Sequence, residues 1–187
     1  MSWLRFVVLY TALALGANTA AADVAMLEGL REGTIKKLNF HSEPAPVPEA
    51  DLVDLEENPR SLSEFHGKYV VLNFWATWCA PCRKEMPGLD ALQAELGGET
   101  FEVVTVAVGR NPLPAIKKFF GETGVENLVA LRDPKMVLSR SMAVLGLPVT
   151  VILNPEGQEI ARLQGDAEWD SESAKAIVKA LVATPEQ

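Results

Sequence analysis

Two kinds of hydrophobic pattern alternate along the chain, and their order predicts the elements. Lys68-Tyr69-Val70-Val71-Leu72-Asn73-Phe74-Trp75 is an almost unbroken apolar, β-branched and aromatic run, as expected of a strand buried on both faces. Phe101 to Val108 (FEVVTVAV) repeats that character. Between them Met86, Leu89, Leu92 and Leu96 recur at helical spacing, and Gly97-Gly98 supplies a stop. Pro87 lies inside this helix, so a lost ladder hydrogen bond and a kink are expected there. Strand, helix and strand on short joints predict parallel pairing through a right-handed crossover. Leu113, Ile116, Phe119 and Phe120 mark the next helix, and Leu128 to Leu131 a third strand. Pro134 then opens a helix with Leu138, Met142 and Leu145 expected to face inward. After Gly146-Leu147-Pro148 a further strand runs from Val149, turns at Asn154-Pro155-Glu156-Gly157 and returns antiparallel from Gln158 to Gln164. Asp170 reads as the N-cap of a last helix with Ala174, Ile177, Val178 and Leu181 on its apolar face. The sum is an α/β fold in the order β-hook, β-α-β-α-β-α-β-β-α, a central mixed sheet flanked by helices.

Upstream the pattern is weaker. Asp51 to Asp54 reads as a brief strand forming an N-terminal β extension, and Ser61 to Lys68 as one helical turn pinned by Leu62 and Phe65. His66 belongs to that turn as a surface residue. Residues 24 to 38 carry Leu27, Leu30, Thr34 and Leu38 at helical spacing, weakened by Gly29 and Gly33. His41-Ser42-Glu43-Pro44-Ala45-Pro46-Val47-Pro48, with prolines in alternation, reads as a semi-rigid linker with a solvated His41. Residues 1–22 combine Arg5, an apolar run from Phe6 and a small-residue end, with Ala20 and Ala22 placed for a cut before Asp23. That segment is expected to be a signal peptide or, uncleaved, a membrane anchor. The expected organisation is therefore 1–22 signal or anchor, 23–49 short helix and linker, and 50–187 the domain proper.

Charge narrows the function. Asp and Glu number 25 against 17 Lys and Arg, a net −8, which argues against nucleic acid and anionic membrane surfaces as partners. The length suits one domain with a proper core. Export would place the chain in an oxidising compartment, and this bears on the candidate chemistry, because the chain has two cysteines, Cys79 and Cys82.

These cysteines stand three apart between the first buried strand and a helix. A cysteine at a helix mouth meets unpaired N–H groups and the positive end of the helix dipole, which favour thiolate. Cys79 accordingly reads as a nucleophile. Cys82, one turn in on the same side, can resolve a mixed disulfide formed at Cys79. Pro81 suits the first turn, where its missing N–H costs nothing. Two other readings compete with it: a structural staple, which contributes little across so short a loop, and a zinc or copper site, for which only His41 and His66 are at hand. Pro148, just before a strand, is allowed at its first residue and can hold a cis bond or an ordinary trans turn.

The block WATWCAPC after an apolar strand, CRKEMP running into a helix and GLPVT some way downstream resemble the thioredoxin superfamily. Within it they are similar to the exported TlpA, ResA and CcmG/DsbE-like branch, TlpA most of all in Thr123 to Trp169. The resemblance implies a thioredoxin-like fold with Cys79 as exposed attacking thiol and Cys82 as buried resolving thiol. It implies that Pro148 is the family's cis-proline facing the CxxC, with the backbone of Leu147 pairing with a partner's chain. It also implies that Glu85 is the acidic residue behind the site, exchanging a proton as Cys82 changes state. Asn73 stands where thioredoxin carries a buried Asp. Trp78, Ala80, Pro81, Leu147 and Pro148 would form the surface a partner meets, with Trp78 screening Cys79 and Trp75 packed beneath. Arg83 and Lys84 either help hold the thiolate or are solvated.

The resulting expectation is an exported, periplasmic thiol:disulfide oxidoreductase acting mainly as a reductant, without cofactor or metal. By resemblance its electrons come from a membrane donor of the DsbD/CcdA kind. Its clients are disulfide-bearing proteins of cytochrome-oxidase copper-centre assembly (a copper chaperone or oxidase subunit) or apocytochrome c. The rivals are a Cu(I)-binding chaperone, which lacks a further ligand beside the cysteines; a peroxidase, disfavoured by Ala76 where a Thr or Ser is needed; and a DsbA-like oxidant, which only a reduction potential separates.

Overall fold

The computed structural model describes residues 24–183. The expected signal or anchor, 1–22, lies outside the described residues. Helix α1 occupies residues 24–29, followed by a 3-10 turn at Gly33–Lys37. The strands are β1 (Asn39–Ala45), β2 (Leu52–Val53), β3 (Pro59–Arg60), β4 (Tyr69–Trp75), β5 (Phe101–Val108), β6 (Val129–Asp133), β7 (Val149–Leu153) and β8 (Glu159–Gln164). The remaining helices are α2 (Ala80–Leu96), α3 (Leu113–Thr123), α4 (Val137–Ser141) and α5 (Glu172–Ala183). The strands form one eight-stranded sheet in the order β1-β8-β7-β4-β5-β6-β2-β3.

Strand β4 lies at the centre because every position after Tyr69 is buried. It pairs in parallel with β5 and antiparallel with β7, so the sheet is mixed, as the order of elements predicts. Successive strand side chains point to opposite faces: Val70, Leu72 and Phe74 join one core cluster, Val71 and Trp75 the other. The Trp75 cluster takes in Met86, Leu89 and Leu92 of α2, Ile116 and Phe119 of α3, and all four expected α5 residues. The opposite cluster contains Leu138 of α4 and Met142 just after it, together with Leu52 and Phe65. Phe65 belongs to a 3-10 turn, Leu62–Phe65, closed by a Ser61–Glu64 capping box.

Several expectations are corrected. The segment read as a linker contains β1, an edge strand whose Asn39 and Phe40 pair with Arg162 and Ala161 of β8. Alternating prolines forbid ladder donation and so suit an edge, which makes linker and edge strand hard to tell apart by composition. His41 is not simply solvated: its Nε2 lies 2.9 Å from Glu159 Oε1. The domain begins before Ala50, since Leu27, Ile35 and Leu38 are all buried in the α2/α5 core. The helix expected across 24–38 breaks into α1 and the 3-10 turn around Gly33, which takes φ +52°. Helix α4 starts at Val137 rather than at Pro134, and Leu145, expected inward, is 95% exposed beyond its end. Ser171, not Asp170, caps α5, its Oγ accepting from Ala174 N–H at 3.3 Å.

Candidate active site

Cys79 closes the loop after β4 and is the N-cap of α2, with extended backbone (φ −88°, ψ 106°). Its Sγ accepts the Cys82 N–H at 3.3 Å, so the sulfur occupies the place a serine or aspartate oxygen takes in an ordinary cap. The two sulfurs form a disulfide. Cys79 keeps 6% of its surface exposed and Cys82 none. A thiolate generated at Cys79 would therefore sit at the helix's positive end and within reach of solvent, while one at Cys82 would be sealed. Ala80 and Pro81 open the helix exposed, and Trp78 stands 71% exposed beside them. Trp75 is buried underneath, its ring 4.5 Å from Phe119 and 5.3 Å from Phe120.

Arg83 and Lys84 are each engaged by an acidic side chain. Arg83 lies 4.4 Å over the Phe119 ring and pairs with Glu122 at 2.9 Å. Lys84 pairs with Asp166 at 2.7 Å.

The loop before β7 emerges at the same end of the sheet, because Phe74 and Val149 are register partners. There the Leu147–Pro148 peptide bond is cis, and the Pro148 carbonyl accepts from Gly165 N–H at 2.9 Å. Pro148 is buried and Leu147 half-buried. Sequence reasoning missed Asn111, which braces the Cys loop from the β5–α3 connection. Its Oδ1 accepts from Thr77 N–H at 2.8 Å and from the Thr77 hydroxyl at 3.0 Å, and its Nδ2 donates to Val108 C=O at 2.9 Å. One asparagine in a loop carries no periodic signal that would have revealed this.

Glu85 is buried at 3% exposure, an uncommon place for a helical glutamate. Three residues after Cys82, it occupies the same face of α2. Its Oε1 accepts from Asn73 Nδ2–H at 2.8 Å, and its Oε2 accepts from Ala167 N–H at 3.1 Å and Trp169 Nε1–H at 3.2 Å. Burial pushes its pKa from 4.5 up to about 7, against the pull of those three donors. Trp169 and Ala167, on the segment after β8, are partners that the sequence did not reveal.

This raised pKa has a measurable consequence. Between pH 4.5 and about 7 the folded chain holds a proton at Glu85 that the unfolded chain has released. Its stabilising contribution is therefore complete below 4.5 and is lost as pH rises to about 7. Glu85→Gln is expected to remove that slope, a difference on the order of 3 kcal/mol across the window. Urea melts at several pH values measure it, and parallel stability profiles for the two proteins would contradict it.

The Redoxin family profile matches residues 42–178. The thiol-disulfide oxidoreductase ResA of Bacillus subtilis is 36% identical over 124 residues, spanning 66% of this chain and 68% of that protein. ResA of Geobacillus kaustophilus is 32% identical over 126 residues, spanning 64% of this chain and 71% of that protein. Among solved structures, a Chlorobium tepidum protein assigned as the thiol:disulfide interchange protein DsbE superposes with a TM-score of 0.67 at 26% identity. That superposition covers 78% of this chain and all of the other. With this match over most of its length and a thioredoxin-like sheet carrying the paired cysteines, the chain belongs to the Redoxin family.

Proposed function

We propose that the chain is an exported, periplasmic protein-disulfide reductase, with residues 1–22 as its signal or anchor. Its clients are proteins of cytochrome-oxidase copper-centre assembly, a copper chaperone or an oxidase subunit, or apocytochrome c. The observation that carries the reading is the asymmetry of the pair: Cys79 caps α2 at the rim and Cys82 is sealed behind it. The ResA name of the curated relatives supports the reaction class.

In the dithiol form the Cys79 thiolate attacks one sulfur of a client disulfide. An S–S bond forms between client and Cys79, and the client's other sulfur leaves as thiolate and takes up a proton. Cys82, giving its proton to the Glu85 carboxylate, then attacks Cys79 Sγ. The second client sulfur departs, and the Cys79–Cys82 disulfide remains. Two electrons have passed to the client, and a membrane dithiol donor of the DsbD/CcdA kind returns them. Leu147 and cis Pro148 offer the client backbone a strand-like contact, while Trp78, Ala80 and Pro81 supply the exposed surface around Cys79.

Removing the resolving thiol tests this reading. Cys82→Ala in the full chain is expected to accumulate mixed disulfides at Cys79 with copper-centre or cytochrome proteins, identifiable after non-reducing separation. Recovery of no such adduct from an exported-protein fraction would count against it. A reduction potential near that of a DsbA-type oxidant would reverse the assigned direction.

A further inference from the structure

Glu85 is surrounded by donors. The Asn73 amide, the Ala167 N–H and the Trp169 indole N–H all give hydrogen to its oxygens, which suits a carboxylate and leaves a neutral acid no acceptor for its own proton among these partners. The charged surroundings do not favour the anion. Asp166, on the segment after β8, disfavours ionisation, and Lys84 of α2 is engaged with Asp166. Cys82, on the same face of α2, is tied in the disulfide and does not titrate in this state. A group that exchanges protons here therefore needs a neighbour able to change from donor to acceptor.

Asn73 is such a neighbour. Its Nδ2 donates both to Glu85 Oε1 at 2.8 Å and to Thr150 Oγ1 at 2.9 Å, so one edge of the amide faces both groups. The other edge, Oδ1, is buried without a hydrogen-bond partner among the described residues. Rotation by half a turn about the terminal torsion keeps the shape of the side chain and exchanges the two edges. Oδ1, with two lone pairs, would then face the Glu85 hydroxyl and the Thr150 hydroxyl, each of which can donate.

We propose that the Asn73 amide turns over when Glu85 takes up a proton, making Asn73 the positioning residue that lets this buried carboxyl be held in either protonation state. With Glu85 ionised, Nδ2 faces it. With Glu85 neutral, Oδ1 does. Each orientation leaves one amide edge without a partner, Oδ1 in the first and Nδ2 in the second, and the state of Glu85 shifts the balance between them. During resolution the proton leaves Cys82 Sγ, binds Glu85 Oε1 and is received by Asn73 Oδ1. One S–H bond is broken, one O–H bond is formed, and no electrons move in that transfer. The use of the device in turnover rests on the reductase reading; its existence does not.

The test is therefore made on the oxidised full chain without client, by nuclear magnetic resonance with labelled asparagine and glutamate. The Glu85 carboxyl carbon is followed from about pH 5 to about pH 9, a range bracketing its displaced titration. The through-space contact between the Asn73 amide protons and the Thr150 side chain is expected to be strong above the Glu85 midpoint. It should fall severalfold below, with the same midpoint. A contact that stays constant through the titration overturns the proposal, as does a Glu85 that fails to titrate in this range. In a second arm Asn73→Leu, of similar size, loses a donor to the charged form and an acceptor to the neutral form. The first is the stronger bond, so the proton affinity of Glu85 is expected to rise about tenfold. An unmoved midpoint in a folded Asn73→Leu protein also overturns it. Should that variant not fold, the wild-type titration alone decides. Failure to trap clients with Cys82→Ala leaves each of these outcomes readable.

Discussion

Cys79→Ser is expected to abolish reduction of a protein disulfide, by roughly a thousandfold or more, because a hydroxyl at this site is not ionised at neutral pH and cannot replace a thiolate nucleophile. The N-cap geometry would survive, since serine is among the best caps, so fold and activity separate cleanly in this variant. The two cysteines should also differ in order of reaction. In the reduced wild-type chain a small alkylating reagent is expected to modify Cys79 well before Cys82, given exposures of 6% and 0%. Coupled turnover with a model disulfide protein measures the first effect, and mass spectrometry after timed alkylation the second. Equal labelling of both thiols, or turnover surviving in Cys79→Ser, would remove Cys79 from the nucleophile's role.

A chain trimmed to begin at Ala50 is expected to lose most of its stability. Trimming strips Leu27, Ile35 and Leu38 from the core that they share with α2 and α5. It removes strand β1 from β8 and leaves the largely buried Glu159 without His41. It also breaks the Ser173 Oγ–H to Leu30 C=O bond at 2.8 Å and the Glu168 N–H to Thr34 Oγ1 bond at 2.9 Å. Burying a leucine or isoleucine stabilises by about 1.5–3 kcal/mol, so three together approach the about 5–15 kcal/mol that holds a typical domain folded. Ile35→Ala, which keeps the chain length, is expected to cost about 2–5 kcal/mol. Denaturant midpoints decide both. A trimmed chain that melts like the full one would show that residues before Ala50 only lie against the domain.

Much of this was legible beforehand wherever a local pattern repeats. Residues 101–108 form β5 as expected, and Ala174, Ile177, Val178 and Leu181 are buried on α5. Leu145 shows the limit of such reasoning. It continues the spacing of Leu138 and Met142, yet α4 ends at Ser141, Ala143 takes φ +53°, and the side chain points into solvent. Asp90 lies on α2 among the stripe residues and is buried, receiving the N–H groups of Glu126 and Asn127 at 3.0 and 2.7 Å. Nothing in its neighbours along the chain announces partners 36 and 37 residues away.

The sequence by itself determined the alternation of strands and helices, the mixed sheet, and the position of two cysteines at a helix mouth, because these depend on periodicity and on contacts within one turn. Only the tertiary structure decided that residues 27–45 belong to the core and the sheet, that Asn111 braces the Cys loop, and that Glu85 is enclosed by Asn73, Ala167 and Trp169. Each of those depends on which distant segment covers a group. Burial and donor placement at Glu85 follow from the packing of β4, α2 and the segment after β8 against one another, a property of the folded chain that no stretch of its sequence carries alone.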